Sequence, residues 1–362
     1  MKLSWTQVCA RRLARHHLAE PAAGLSPADV VADMAGTHAQ VMSAAELGVA
    51  LRMAGATRQT VRDALWRDRS LVKTYGPRGT VHLLPAADLP MWLGVLQAVP
   101  WTAYKMPGDV AMTAEQTEQV VAAAGDALLD RELTIDELDA EVVARTGPWA
   151  GDLVMPAFQT FWPRWRQAVH LAAHRGVLCF GPQRGRKVTY TNPRATAMPA
   201  QEALAAIVPL YLRAYGPATP GQFAHWLNAP KSWAGEVFGR LDLEEVEVEG
   251  RRAYVAKGDT EAPAEPPRGV RLLPYFDTYA YVVGNQPKEL LHPGRAAERV
   301  LGRNYQTLVV DGVVAGLWHQ RRSGRRLDVT VEALVPLGRR QLAGWRSRWC
   351  GSARSCRPAR RA

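Results

Sequence analysis

The chain has 362 residues, 47% of them hydrophobic, enough for two to four units with cores of their own. Lys and Arg number 45 against 34 Asp and Glu, a formal charge of +11, which favours a polyanionic partner with nucleic acid first among them. No apolar run is long enough for a signal peptide or a bilayer span, and Cys9, Cys179, Cys350 and Cys356 show neither metal-ligand spacing nor a disulfide framework. Membrane and secreted classes are set aside on that basis, and a reduced cytoplasmic setting is expected.

A first unit is expected over residues 1–95. Val30, Val31 and Met34 give Pro27 to Ala35 a helical spacing. Ser43-Ala44-Ala45-Glu46 reads as a capping box that opens a second helix, and a third is expected from Thr57 to Arg69. Between the first two lies Gly36-Thr37-His38-Ala39-Gln40-Val41, with room for one short extended segment. Side chains two apart in such a segment project together, so His38 and Gln40 would share a face while Ala39 points to the core. An imidazole and a neutral amide suit the holding and deprotonation of one water. The alternative is that both side chains cap backbone groups at a strand edge. Residues 71–75 and 80–84 form a predicted hairpin around Gly76-Pro77-Arg78-Gly79, with Lys73 and Arg78 decorating its wing and His82 packed inside. Helix, strand, helix, helix, strand, wing, strand is the winged helix-turn-helix plan.

The plan returns over residues 110–195. Thr134-Ile135-Asp136-Glu137 is a capping box for a helix to about Arg145, and a long helix bent at Pro163 is expected from Ala157 to His174. The run Phe161-Trp162-Pro163-Arg164-Trp165-Arg166 mixes aromatic and basic groups. It suits either nucleic-acid stacking or a helix with its aromatics in the core, and the second is favoured. Residues 176–180 and 187–191 form a second wing, whose tip carries Arg184, Arg186 and Lys187 as phosphate contacts. A third copy is expected over 198–257, opened by the Thr219-Pro220-Gly221-Gln222 cap. Its wing is acidic, with Glu244, Glu245, Glu247 and Glu249, and is read as architectural. Residues 258–269 are a linker. Residues 268–337 read as a small β-rich domain with hairpins at Asp311-Gly312 and Ser323-Gly324. Residues 338–362 hold eight arginines and no acid and read as a disordered basic tail. The fold class is α+β: three tandem winged helix-turn-helix modules and a β-rich C-terminal domain.

From Leu3 to about Leu337 the chain resembles the AlkZ-type bacterial DNA glycosylases. The resemblance rests on the stretch from Thr37 to Leu47, on Arg78-Gly79-Thr80-Val81-His82-Leu83, on Arg175-Gly176-Val177-Leu178 with its wing, and on Leu272-Leu273-Pro274-Tyr275-Phe276-Asp277. It implies excision of bulky N7- or N3-alkylated purines from double-stranded DNA, in base-excision repair or in self-resistance to a DNA-alkylating natural product such as azinomycin. Members of the family carry Gln-x-Gln or Gln-x-Asp where this chain has His38-Ala39-Gln40. Gln40 takes the second position directly, and His38 brings a titratable ring to the first. The tail beyond Leu337 departs from the helical end the family implies.

Such a purine is already cationic, so the reaction needs a positioned water and a stabilised sugar cation more than leaving-group protonation. Neutral His38 accepts the water's proton and Gln40 holds the water, with the rate rising through a pKa near ~6.5 if the ring is unperturbed. No lysine near His38 offers an amine nucleophile, so hydrolysis without lyase action is expected, with no metal and no organic cofactor. The site list is His38 and Gln40 for catalysis, and Lys73, Arg78, Arg164, Arg166, Arg184, Arg186 and Lys187 for DNA. A monomer is expected. The rival reading is a non-catalytic winged-helix DNA-binding protein, a regulator or an adduct-binding protein.

Overall fold

The computed structural model describes residues 1–101, 106–157, 159–280, 291–300, 304–324, 326–339, 341 and 356–358. Strand β1 (Lys2–Leu3) and helix α1 (Trp5–Arg15) open the chain, α1 under a Ser4/Gln7 capping box. Helix α2 (Pro27–Asp33), strand β2 (Thr37–His38), helices α3 (Met42–Ala50) and α4 (Arg58–Trp66), and strands β3 (Leu71–Tyr75) and β4 (Val81–Pro85) follow. The three strands pair antiparallel in the order β2-β4-β3. Val30, Val31, Met34, Ala39, Val49, Val61, Leu65 and Leu83 close one core beneath them.

One local signal is overridden here. Ser43 does not cap α3: the helix starts two residues earlier than such a cap implies, with Val41 at the cap position and no side-chain cap bond. Glu46 is drawn away from the backbone into α4. It accepts from Arg58 Nε and Arg62 Nε, each at 2.7 Å, and is buried between them. Two charge-assisted bonds to a buried carboxylate outweigh one cap bond.

Helices α5 (Leu89–Ala98) and α6 (Ala114–Ala127) lead to strand β5 (Leu133–Thr134) and helix α7 (Ile135–Thr146), whose Thr134/Glu137 capping box forms as expected. The long helix expected over 157–174 does not form. Strands β6 (Leu153–Ala157) and β7 (Thr160–Pro163) make a hairpin instead, followed by a 3-10 turn over Arg164–Ala168 and helix α8 (Val169–His174). Pro156 and Pro163 each remove a backbone donor, Gln159 adopts φ +59°, and the β-branched and aromatic run Thr160-Phe161-Trp162 favours a strand. The aromatics divide accordingly. Trp165 is 1% exposed in the core, against the 55% of Phe161 and 45% of Trp162. Strands β8 (Cys179–Arg184) and β9 (Lys187–Thr191) complete a sheet in the order β5-β9-β8.

Helices α9 (Ala200–Tyr215), α10 (Pro220–Leu227) and α11 (Lys231–Gly239) precede strands β10 (Leu243–Val248) and β11 (Arg251–Ala256). Thr219 and Gln222 form the expected capping box. The third sheet runs β1-β10-β11: the chain's first strand adds in parallel to β10, and Ala218 bridges Tyr254 on the other edge. Helix α5 packs against α9, and this is the reason for Gly94. A Cβ there would meet the Met198 carbonyl oxygen at 2.4 Å and Ala203 Cβ at 2.7 Å.

The last sheet holds strands β12 (Val270–Leu273), β13 (Thr307–Val310), β14 (Val313–Ser323), β15 (Arg326–Ala333) and β16 (Cys356–Pro358), in that order, with helix α12 (Arg295–Val300) outside it. Asp311 (φ +50°) and Gly312 (φ +86°) form the expected tight turn. This domain is seated on the first: Leu47 of α3 packs into its core, and Leu13 and Leu18 pack from α1 and the turn that follows it. The tail expected to be wholly disordered contributes β16, paired with Val329 to Val331, and Gln341, whose amide donates to Asp311 at 2.8 Å. Residues 340, 342–355 and 359–362 of that tail lie outside the described residues.

Candidate active site and nucleic-acid interface

The turn from α2 into β2 is made by Ala35 at φ +50° and Gly36 at φ +85°. A Cβ on Gly36 would meet Leu84 at 2.8 Å, so the backbone here lies close against β4. Thr37 and His38 then pair with Leu83 and His82, and the Ala39 N–H donates to the Val81 carbonyl at 2.7 Å. Ala39 faces the core, as its position between His38 and Gln40 predicts. The shared projection of His38 and Gln40 is met only in part. The strand ends at His38, which is 5% exposed, whereas Gln40 sits in an exposed bend. What joins them is the Gln40 N–H, which faces His38 Nδ1 at 3.5 Å.

His38 is enclosed by rings. His82 meets it edge-on at 5.2 Å, and Phe276 stacks over it at 4.4 Å with 22° between the planes. Burial pushes the His38 imidazole down to about 4 and that of His82 to about 3, the His82 ring being lowered further by His38. Both are therefore neutral near pH 7. A neutral ring whose Nδ1 accepts from an N–H carries its one lone pair on that nitrogen, toward Gln40. A water that displaces the long Gln40 N–H contact would meet that lone pair and could give it a proton. The unperturbed pKa near ~6.5 expected for His38 does not hold, because the ring is desolvated.

Phe276 reaches His38 from the C-terminal domain on a loop fixed by a buried ion pair. Asp277 accepts from Arg52 Nη1 and Nη2, both at 2.8 Å, and both side chains are fully buried. Arg52 also donates to the Gly48 carbonyl at 2.8 Å. Arg52 and Asp277 stand 225 residues apart and were missed as site residues. Their only signal was the Leu272 to Asp277 stretch, which carries no role by itself.

The basic residues do not gather as expected. Lys73, expected to decorate the first wing, is on strand β3. It lies half-buried over the Phe180 ring, 4.6 Å from its centroid. It lines a cavity of about 1010 Å3 between the first two sheets that contains neither His38 nor Gln40. Arg78, at φ +61°, donates to the His225 carbonyl at 2.9 Å. Arg164 donates to the carbonyls of Asp109 and Val110, and Arg166 lies over the Trp162 ring. On the second wing, Arg184 pairs with Glu137 and Lys187 with Asp136, both acids from the first turn of α7. Arg186, exposed at the tip, has no acidic partner among the described residues. A cationic element the sequence reading did not single out is the end of β14 and start of β15. His319 to Ser323 and Arg326 to Leu327 are exposed there and pair as a two-stranded ribbon that carries Arg321, Arg322 and Arg326. Its signal was present, four arginines around Ser323-Gly324.

A sequence model of the DNA glycosylase AlkZ-like family matches residues 31–350. An interstrand DNA cross-link repair glycosylase of Streptomyces sahachiroi is 35% identical over 337 residues, 88% of each chain. The solved structure of the Streptomyces sahachiroi DNA glycosylase AlkZ superposes with a TM-score of 0.81 at 31% identity, covering 99% of this chain and 100% of that one.

Proposed function

The chain belongs to the AlkZ-like family of DNA glycosylases, and from that premise we propose that it hydrolyses the N-glycosidic bond of bulky N7- or N3-alkylated purines in duplex DNA. The observation that carries the chemistry is His38: neutral, desolvated, and presenting Nδ1 toward the Gln40 side. A water that takes the place of the Gln40 N–H on that nitrogen, held by the exposed Gln40 side-chain amide, attacks C1′ of the damaged nucleotide. The C1′–N bond breaks with its electron pair going to the purine, whose positive charge is thereby cancelled. The water's proton passes to His38. The alkylated base leaves neutral and an abasic site remains.

The relative's activity, interstrand cross-link repair, is the natural extension: a cross-link of this type is two such adducts joined. Self-resistance to a DNA-alkylating natural product is the physiological setting we assign, in the cytoplasm and as a monomer. Among the described residues no helix is long and apolar enough to cross a membrane.

We read the first three sheets with their helices as tandem winged helix-turn-helix units over 1–95, 110–195 and 198–257, and 268–337 as the β-rich domain. The shared strand order supports this: a short strand, then the last strand, then the one before it, with Ala218 as the short strand of the third. Phosphate contacts fall to the arginine ribbon of β14 and β15 and to Arg186, with Phe161 and Trp162 as exposed stacking surfaces.

The test is incubation with duplexes carrying N7-methylguanine, a bulky N7 adduct, or an interstrand cross-link of two N7-alkylguanines. Free modified base and an alkali-labile site are expected from the first two, and separated strands from the third. Tight binding of all three without release of base returns the protein to the non-catalytic reading.

A further inference from the structure

Phe276 adopts φ +57°, a left-handed conformation that is a real outlier for a bulky side chain. The loop around it leaves little freedom. Its N–H donates to Asn304 Oδ1 at 3.2 Å, and the next residue is the fully buried Asp277, held bidentate by Arg52. Asp277 Oδ1 in turn accepts from the Tyr279 N–H at 3.0 Å, and the Tyr279 hydroxyl donates to the Gly312 carbonyl at 2.7 Å. On the near side, Arg52 belongs to the turn at the end of α3, the helix that begins just after Gln40. The ring of Phe276 is therefore fixed relative to the His38–Gln40 segment from both domains. It is half-buried, with one face against the imidazole.

We propose that Phe276 is a positioning residue for His38: it fixes the plane of the imidazole by stacking and keeps water from that ring face. The inference rests on His38 being the base of the excision reaction. The titratable group that faces His38 from β4 is His82, whose ring burial holds lower still, at about 3. Removing the stacked ring opens the imidazole to solvent, and solvation favours the protonated form. The loss of Phe276 is thus distinguished from a merely structural loss by what it does to one titration.

The experiment follows the full chain and its F276A, F276L and F276Y variants in two ways. One is the His38 imidazole titration by NMR, assigned with H38Q. The other is single-turnover excision of N7-methylguanine against pH. F276A is expected to raise the His38 midpoint from about 4 by more than one pH unit. It should slow excision at pH 7.5 by about 10- to 100-fold, the loss of a well-oriented reactant, and leave the duplex Kd within twofold. F276Y restores the ring and should restore both readings. F276L keeps apolar bulk, guards against a fold that F276A does not survive, and should fall between. A folded F276A or F276L protein whose His38 titrates as in the wild type overturns the proposal. If the wild type excises nothing, the excision reading fails while the titration still decides the positioning role.

Discussion

The guanidinium of Arg78 donates to the main-chain carbonyl of His225 at 2.9 Å, tying the turn between β3 and β4 to helix α10. A residue that the sequence places on a DNA-facing wing is thus a strut between the first and third sheets. R78A should lower the free energy of unfolding by about 1 kcal/mol, the net worth of a hydrogen bond of this kind. Duplex affinity should stay within twofold. Unchanged stability with a tenfold loss of affinity would return Arg78 to the wing.

His38 sets the pH dependence of the reaction. With its pKa lowered to about 4 by burial, the neutral base is fully present above about pH 5. Single-turnover excision should rise through about pH 4 and stay level from pH 5.5 to 8, without an inflection near ~6.5. H38A should slow excision by about 10²–10⁴-fold. Q40A should slow it with the profile unchanged in shape, because an amide does not titrate. H38Q restores the family's Gln-x-Gln pattern and should retain part of the rate without pH dependence. A folded H38A protein with wild-type rates across the range would contradict the assignment.

Stability should follow the same buried rings. His16, His38, His82 and His174 are all held below the ordinary imidazole range, chiefly by burial, to between about 3 and about 4. Between those values and ~6.5 the unfolded chain binds protons that the folded chain refuses, so stability rises with pH in that window and is lost as pH falls through it. Urea unfolding should give a plateau above about pH 7 and a steady decline from about 6.5 downward. Replacing His82 by Asn should flatten part of the decline. A constant free energy from pH 7 to 5 would show that these rings are hydrated.

Duplex binding should depend on the ribbon more than on the second wing. R321A/R322A should weaken binding to damaged and undamaged duplex alike and reduce the log–log salt slope by about 0.9 for each phosphate that is no longer neutralised. R184A/K187A should cost less, because both cations already pair with Glu137 and Asp136. Equal losses from the two variants would show that those pairs open on DNA.

The sequence made some of this plain and hid the rest for physical reasons. The caps at Thr134 and Thr219 and the turn at Asp311-Gly312 depend on neighbours within three residues, and they form as read. The box at Ser43 fails because Glu46 finds two arginines on the next helix, a choice made by packing. The helix expected over 157–174 gives way to a hairpin where Pro156 and Pro163 bracket the β-branched and aromatic run Thr160-Phe161-Trp162. His38 was singled out from its neighbours in sequence. The ring that stacks on it and the carboxylate of the ion pair that fixes that ring come from more than 220 residues away, and no local pattern announces them. The wing charges mislead for a related reason: their acidic partners sit on α7, 47 and 51 positions earlier.

Strand β1 has its own lesson in time. Lys2 and Leu3 find their partners in Glu247 and Val248, some 245 positions later in the same chain. At roughly 5–20 residues per second, β10 leaves the ribosome on the order of 10 to 50 seconds after β1. Throughout that interval the apolar face of α1, with Val8, Cys9 and Leu13, has no final seat. A segment made well ahead of its partners is completed only once they arrive, and a holding chaperone would find its target there.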